Sequence, residues 1–306
     1  MPLAVYTHPA MLDHRPSEGH VERPARLTAV LEAFGSGFDR PLETLDAPSV
    51  DGDDLRRVHD DAFLDDLARR SPLKGVVRID ADTQMSPGSL DAARRAAGAV
   101  TAAVRAVMAG EISRAFCAVR PPGHHAGPDF AMGFCLYSNV AIGAKLALTL
   151  GARRVAIVDF DVHHGNGTQS VVERDAGLFF ASVHESPNYP GTGGADETGI
   201  GNVINTPVPP GATRKVWRAA FERLVEGVDA FAPDLVMISA GFDAHIRDPL
   251  SNQALEAEDY AWATRAVAEA ARLHCGGRIV SSLEGGYDLT GLAESALSHV
   301  GALRGE

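Results

Sequence analysis

Four short apolar runs constrain this chain more than any other feature. Val155–Asp159, Phe179–Val183, Leu235–Ala240 and Arg278–Leu283 are dominated by aliphatic, β-branched and aromatic side chains, and each is too short for a helix. Longer stretches with helical spacing separate or flank them: Ser89–Ala109, Val140–Leu150, Arg214–Phe231, Glu256–His274 and Leu289–Leu303. Ser89 is expected to cap the first of these, and Ala115–Val119 is a further candidate strand. Such alternation gives a parallel sheet with helices on both faces, an α/β architecture. No repeat, low-complexity tract or long linker divides the chain, so a single domain over 1–306 is expected. Ligands of open parallel sheets gather beyond the carboxyl ends of the strands. The polar segments that follow the strands are therefore where chemistry is expected.

Charge narrows the partners. The chain carries 40 Asp and Glu against 28 Lys and Arg, a net charge of −12. A surface this acidic, without a basic cluster, is unsuited to tracking a phosphate backbone, so no nucleic-acid partner is expected. No run approaches the roughly 18 apolar residues of a membrane span. No basic residue precedes Arg15, so the start lacks the charged segment of a secretory signal. Cys117, Cys135 and Cys275 form no C-x-x-C pair, which leaves neither a disulfide framework nor a thiolate metal site. A reducing, cytoplasmic setting is the expectation.

Four polar clusters follow the strands. Asp159, Asp161 and His163 stand at spacing two where the Val155 run ends, and in extended chain such residues share a face. Two carboxylates and an imidazole suit a divalent cation such as Zn²⁺. The alternative makes Asp161 and His163 caps of a helix beginning near Gly165, yet three such side chains ending an apolar strand are costly without a partner. The second cluster is Ser239-Ala-Gly-Phe-Asp243-Ala-His245, where Asp243 is either a turn residue or a third metal ligand. The third, Arg120-Pro-Pro-Gly-His124-His125, is a turn on which two neighbouring histidines can both face a cavity, or else an exposed pair. The fourth is Ser282-Leu-Glu-Gly-Gly-Tyr287, whose tyrosine can donate a hydrogen bond to a developing oxyanion. Metal, base and oxyanion donor together outline a metal hydrolase.

With these motifs the chain resembles the histone deacetylase superfamily, nearest its class II and bacterial amidohydrolase members. The resemblance runs from His20-Val-Glu-Arg-Pro-Ala-Arg-Leu27 through Asp82–Ser89, Arg120–His125, Gly133–Cys135, Asp159–Thr168, Pro190–Gly193 and Ser239–Leu250 to Glu284–Tyr287. It implies the arginase-like single-domain α/β fold, with one zinc held by Asp161, His163 and Asp243. His124 and His125 would be the paired active-site histidines, Asp159 would orient His124, and Asn166 would stand beside His125. Tyr287 would be the hydroxyl donor. Phe134 and Tyr189 align with the aromatic walls of an acyl-lysine tunnel, where Tyr189 replaces the usual phenylalanine. Asp82 aligns with the carboxylate at the rim, while Gly133, Gly286 and Leu250 complete the substrate-binding set. Arg26 aligns with an internal acetate channel. Asp159, Asp161, His163, Ser182 and Val183 match a structural K⁺ site.

The implied reaction is hydrolysis of an acetylated amine to acetate and free amine, with His125 as general base. Acetyl-lysine in proteins or peptides is the first substrate reading and acetylated polyamines the second. Leu250 stands where a polyamine-specific branch carries a glutamate, which favours acyl-lysine. A non-catalytic acyl-lysine binding protein and a two-manganese ureohydrolase of the same fold are the competing classes. The sequence leaves oligomerisation open.

Overall fold

The computed structural model describes residues 3–306; Met1 and Pro2, within the expected domain, lie outside the described residues. The chain runs β1 (Leu3–Thr7), α1 (Ala25–Gly37), β2 (Glu43–Asp46), α2 (Gly52–Leu55), α3 (Asp61–Arg70), β3 (Val77–Arg78), β4 (Gln84–Met85), α4 (Ser89–Ala109) and β5 (Arg114–Cys117). It continues α5 (Asn139–Thr149), β6 (Val155–Asp159), α6 (Asn166–Val172), β7 (Leu178–Glu185), β8 (Val203–Val208), α7 (Arg214–Phe231), β9 (Leu235–Ala240), α8 (Ala257–Cys275), β10 (Ile279–Leu283) and α9 (Leu289–Arg304).

Eight strands form one sheet in the order β2-β1-β5-β10-β9-β6-β7-β8, and every pairing in it is parallel. Strands β5, β6, β7, β9 and β10 are buried along their whole length, as a sheet covered on both faces requires. Helices α4 and α5 pack together over one face, while α1, α9, α8 and α7 form a contiguous layer on the other. The main core fills both interfaces with Val, Ile, Leu, Phe and Ala, and a smaller cluster around Leu55, Phe63, Leu136 and Tyr137 lies beneath α2 and α3.

Local signals fix the helix ends. Thr213 and Asp288 cap α7 and α9 by accepting from Val216 N and Gly291 N, and Glu256 with Asp259 forms a capping box at α8. Ser89 does not cap α4. Gly88 holds the cap position, and Ser89 Oγ instead accepts from Ser86 N at 2.7 Å and bonds His14 Nδ1 at 2.6 Å. Its hydroxyl is spent on tying an N-terminal loop to the helix start.

Candidate metal and catalytic centre

The topology explains why the four polar clusters meet. They leave the carboxyl ends of β5, β10, β9 and β6, which are neighbours in the sheet although scattered in the chain. Asp161, His163 and Asp243 are buried and offer ligand atoms that all lie within 4.8 Å of one another. Asp159 does not join them. Its Oδ2 pairs with His124 Nδ1 at 3.0 Å, while its Oδ1 accepts from Asp161 N at 3.1 Å. Extended-chain alternation therefore fails as the cause of convergence: β6 ends at Asp159 and the backbone bends through residues 161–163. In that bend each carboxylate accepts the N–H two residues on, His163 N donating to Asp161 Oδ1 at 2.9 Å. Neither Asp161 nor His163 caps α6, whose cap position is Gly165. His245 of the second cluster also stays out, accepting from Arg247 N at 3.2 Å.

Backbone amides aim the two carboxylates. Gly285 N donates to Asp161 Oδ2 and Val162 N to Asp243 Oδ1, each at 2.8 Å. A Cβ on Gly285 would overlap Asp243 Oδ2 and lie 2.6 Å from Asp161 Oδ2, and one on Gly241 would overlap Asp161. The carboxylates thus occupy space that any larger residue would deny them. His163 Nδ1 faces both, at 3.1 Å from Asp161 Oδ1 and 3.2 Å from Asp243 Oδ2. Burial opposes a charged imidazole there, but bonds to the two carboxylates outweigh it and raise the His163 pKa well above its ordinary value. The two carboxylates stabilise positive charge placed between them.

The paired histidines are buried side by side with ring centroids 4.0 Å apart. Their environments drive them in opposite directions. Burial would lower His124, but the Asp161 and Asp159 carboxylates overcome it and push its pKa up to about 10. Burial likewise lowers His125, and there the neighbouring His124 and His163 charges add to it, so His125 falls well below the ordinary imidazole value. Asn166 Oδ1 accepts from His125 Nδ1 at 2.8 Å, with the Asn166 amide oriented by a contact to Met132 Sδ at 3.3 Å. That bond fixes the proton on Nδ1 and leaves Nε2 as the lone-pair nitrogen.

A cavity of about 220 Å³ opens onto these groups. Phe134, Tyr189 and Leu250 form its walls; His125, His163 and Tyr287 close its inner end; Asp82, Gly133 and Asn188 complete it. Tyr189 meets His125 edge-on at 5.1 Å, and Phe134 meets Tyr287 at 5.7 Å. Gly133 and Phe134 both have positive φ, 55° and 68°, a strained conformation for phenylalanine. It is held by Asp82 Oδ1 accepting from Gly133 N and by Thr83 Oγ1 accepting from Phe134 N, each at 3.0 Å. A wider open depression of about 630 Å³ on α7 and α8 lacks comparable chemistry. Its Arg214 and Arg218 are already paired with Glu256, Glu258 and Asp259.

Two expected site residues stand behind the cavity. Arg26 is fully buried, with its guanidinium 4.8 Å from the centre of the Tyr287 ring, and donates to the carbonyls of Gly286 and Glu284. Gly286, expected in the substrate-binding set, does not line the cavity; its carbonyl holds Arg26 instead. Ser182 Oγ bonds His184 Nδ1 at 2.9 Å, and Val183 follows it along β7. Three further acids brace the site, and Glu22, with Asp13 and Glu18 a candidate counter-charge for a polyamine ammonium, is withdrawn from that role by its burial and pairing. Glu284 Oε2 accepts from Gly123 N and His124 N. Asp248 Oδ2 accepts from Tyr287 N at 2.6 Å. Glu22 anchors Arg120, Arg26 and His14 in one buried network. All three lie inside the motifs that carry the resemblance, but only their burial reveals the work they do.

The family model for the histone deacetylase domain matches residues 20–303. The chain belongs to the histone deacetylase family. It is 36% identical over 314 residues to a protein of Archaeoglobus fulgidus named probable deacetylase, covering 100% of this chain and 87% of that one. With the histone deacetylase-like amidohydrolase of Pseudomonas aeruginosa it shares 38% identity over 279 residues, 88% of this chain and 73% of the relative. The crystal structure of the HDA15 HD domain superposes with a TM-score of 0.94 at 37% identity, covering 99% of this chain and 88% of that one. The fold is thus the arginase/deacetylase-like α/β fold, and the chain is a hydrolase of this family. Among the described residues no helix is long and apolar enough to cross a membrane.

Proposed function

We propose that this chain is a zinc-dependent amidohydrolase that removes acetyl groups from lysine side chains of proteins or peptides, releasing acetate. One observation carries the reading: a small, aromatic-walled cavity is lined by His163 of the triad, by His125 of the oppositely tuned histidine pair and by Tyr287. Its volume of about 220 Å³ is below that of sites enclosing a drug-sized ligand, which suits a slim alkyl stem ending in an amide.

Asp161, His163 and Asp243 would hold the ion; two carboxylates and one imidazole, cradled where Gly241 and Gly285 leave room, fit a small divalent cation. Zinc bound there would polarise the acyl carbonyl and acidify a water. His125, kept neutral with its Nε2 lone pair free, takes the proton as water adds to the carbonyl. Tyr287 donates its hydroxyl proton in a hydrogen bond to the oxyanion. The histidine pair returns a proton to the nitrogen as the C–N bond breaks, and His124, braced by Asp159, supplies positive charge beside it. Asp82 at the mouth accepts N–H groups of the substrate. The K⁺ expectation also has support. His184 Nε2 donates to Gly193 O at 2.9 Å, so its Nδ1 accepts from Ser182, whose oxygen lone pairs stay free beside Asp159 on the neighbouring strand.

Acetylated polyamines are the second reading, favoured by the carboxylate of Asp82 at the mouth and opposed by apolar Leu250. Turnover of an acetyl-lysine peptide against acetylputrescine and acetylcadaverine tests the choice: preference for the peptide is expected, and hydrolysis of the diamines alone refutes it. Metal analysis separates the class, with about one zinc per chain expected and two manganese pointing to a ureohydrolase.

A further inference from the structure

Two walls of the cavity belong to segments without regular secondary structure. Tyr189 lies in the loop after β7, and Leu250 in the segment between β9 and α8. Both segments converge on one buried carboxylate, Glu185, the last residue of β7 and only 2% exposed. Glu185 Oε1 accepts from the side-chain amides of Asn188 at 3.2 Å and Asn252 at 3.0 Å. Its Oε2 accepts from Asn252 N at 3.0 Å and from the Gln253 side chain at 2.8 Å. These bonds fill the roughly four acceptor positions of an ionised carboxylate. The partners pass the constraint on. Asn188 Oδ1 accepts from Tyr189 N at 2.7 Å, and Ser251, between Leu250 and Asn252, donates to Asp243 O at 2.7 Å. Glu185 N itself donates to Val162 O at 2.8 Å, in the bend that carries Asp161 and His163.

We propose that Glu185 is a positioning residue that sets the spacing of Tyr189 and Leu250, and through it the recognition of the substrate's alkyl stem, without touching substrate or metal. Bonds to an ionised acceptor are stronger than neutral ones, and surface loops lacking a ladder of their own depend on such anchors. Truncating the carboxylate leaves the Asn188, Asn252 and Gln253 donors without their acceptor. Glutamine keeps one acceptor oxygen and turns a donor towards an amide that already donates. The inference rests on reading the cavity as a stem tunnel.

Two hydroxamates separate the stem from the metal. Acetohydroxamate chelates zinc without a stem, whereas octanohydroxamate adds an alkyl chain that must pass between Tyr189 and Leu250. Titration calorimetry on the zinc-loaded protein is expected to show octanohydroxamate weakened at least about tenfold in Glu185→Ala, roughly the loss of one charged hydrogen bond, with acetohydroxamate unchanged. On the acetyl-lysine peptide KM rises while kcat holds, and Glu185→Gln falls between wild type and alanine. Equal weakening of both hydroxamates, or of neither, overturns the assignment. Should the alanine chain fail to fold, the same comparison is read in Glu185→Gln. If wild-type protein leaves acetyl-lysine intact, the substrate reading fails, while the hydroxamate pair still decides the role of Glu185.

Discussion

Adding one methyl group at Gly285 is the sharpest test of the triad. In Gly285→Ala the new carbon would overlap Asp243 Oδ2 and stand 2.6 Å from Asp161 Oδ2, whereas ordinary contact begins near 3.4 Å. Relieving the second contact alone requires about 0.8 Å of movement, the difference between those distances. Zinc–carboxylate bonds are about 2.0–2.2 Å long and tolerate about 0.2 Å. The displacement is about four times that tolerance, and it acts on two ligands at once. Disturbing only the partners behind a ligand typically weakens a site by about 10–100-fold. Gly285→Ala is therefore expected to lose at least about 100-fold in zinc affinity, measured by competition with a chromogenic chelator, with a matching loss of activity at limiting zinc. The far-ultraviolet dichroism of the metal-free protein should stay native, because the new methyl projects into the site and not into the main core. Zinc affinity within threefold of wild type would refute the claim that Asp161 and Asp243 share one ion beside Gly285.

Other perturbations address neighbouring parts of the argument. Tyr287→Phe keeps the ring contacts with Phe134 and Arg26 and removes one oxyanion donor, so kcat is expected to fall about 10²–10³-fold with zinc content unchanged; near-wild-type turnover contradicts the role. Asp161→Ala and Asp243→Ala should each purify without bound metal, and a full equivalent by elemental analysis would remove that residue from the ligand set. His299 is buried between Thr264 and Ser281, and burial alone lowers its pKa from 6.5 to about 3. Because the unfolded chain takes up this proton near pH 6.5 and the folded chain does not, the stability from a neutral His299 is present above pH 6.5 and is lost as pH falls towards 3. The loss is about 3 kcal/mol at about pH 4.5. Urea melts should show that acid sensitivity reduced in His299→Gln, and an identical pH slope in both proteins would exclude it.

Much of the frame was legible because a strand buried on both faces has to be continuously apolar. Val155–Asp159 and Leu235–Ala240 are recovered to the residue, as are the helices Ser89–Ala109 and Arg214–Phe231. Elements at the margins escaped for the converse reason. β2 reads Glu-Thr-Leu-Asp on an exposed edge, and β8 is interrupted by Asn205 and Pro207 at the other edge. Neither buries enough apolar surface to leave a pattern. Helix α3 is polar overall and shows its buried stripe only at Phe63 and Leu67.

The site divides along a different line. Ligand-type side chains at strand ends announce themselves, so the triad, both histidines and Tyr287 could be named from the sequence. The groups that hold them in place could not, because a buried carboxylate and a solvated one are the same letter. Glu22, Asp248 and Glu284 became informative only when their burial was known, since each then accepts from particular N–H groups that it holds in place. The same consideration corrects the spacing argument that grouped Asp159 with the triad, not the bracing role that the resemblance implies for it. Its spacing matched that of Asp161 and His163, yet the chain turns immediately after it, so the side chain braces His124 instead of joining the triad. Strand alternation carries a side chain's direction only as far as the strand itself, and this sheet places Asp161, His163, Asp243 and Tyr287 two to four residues beyond that limit.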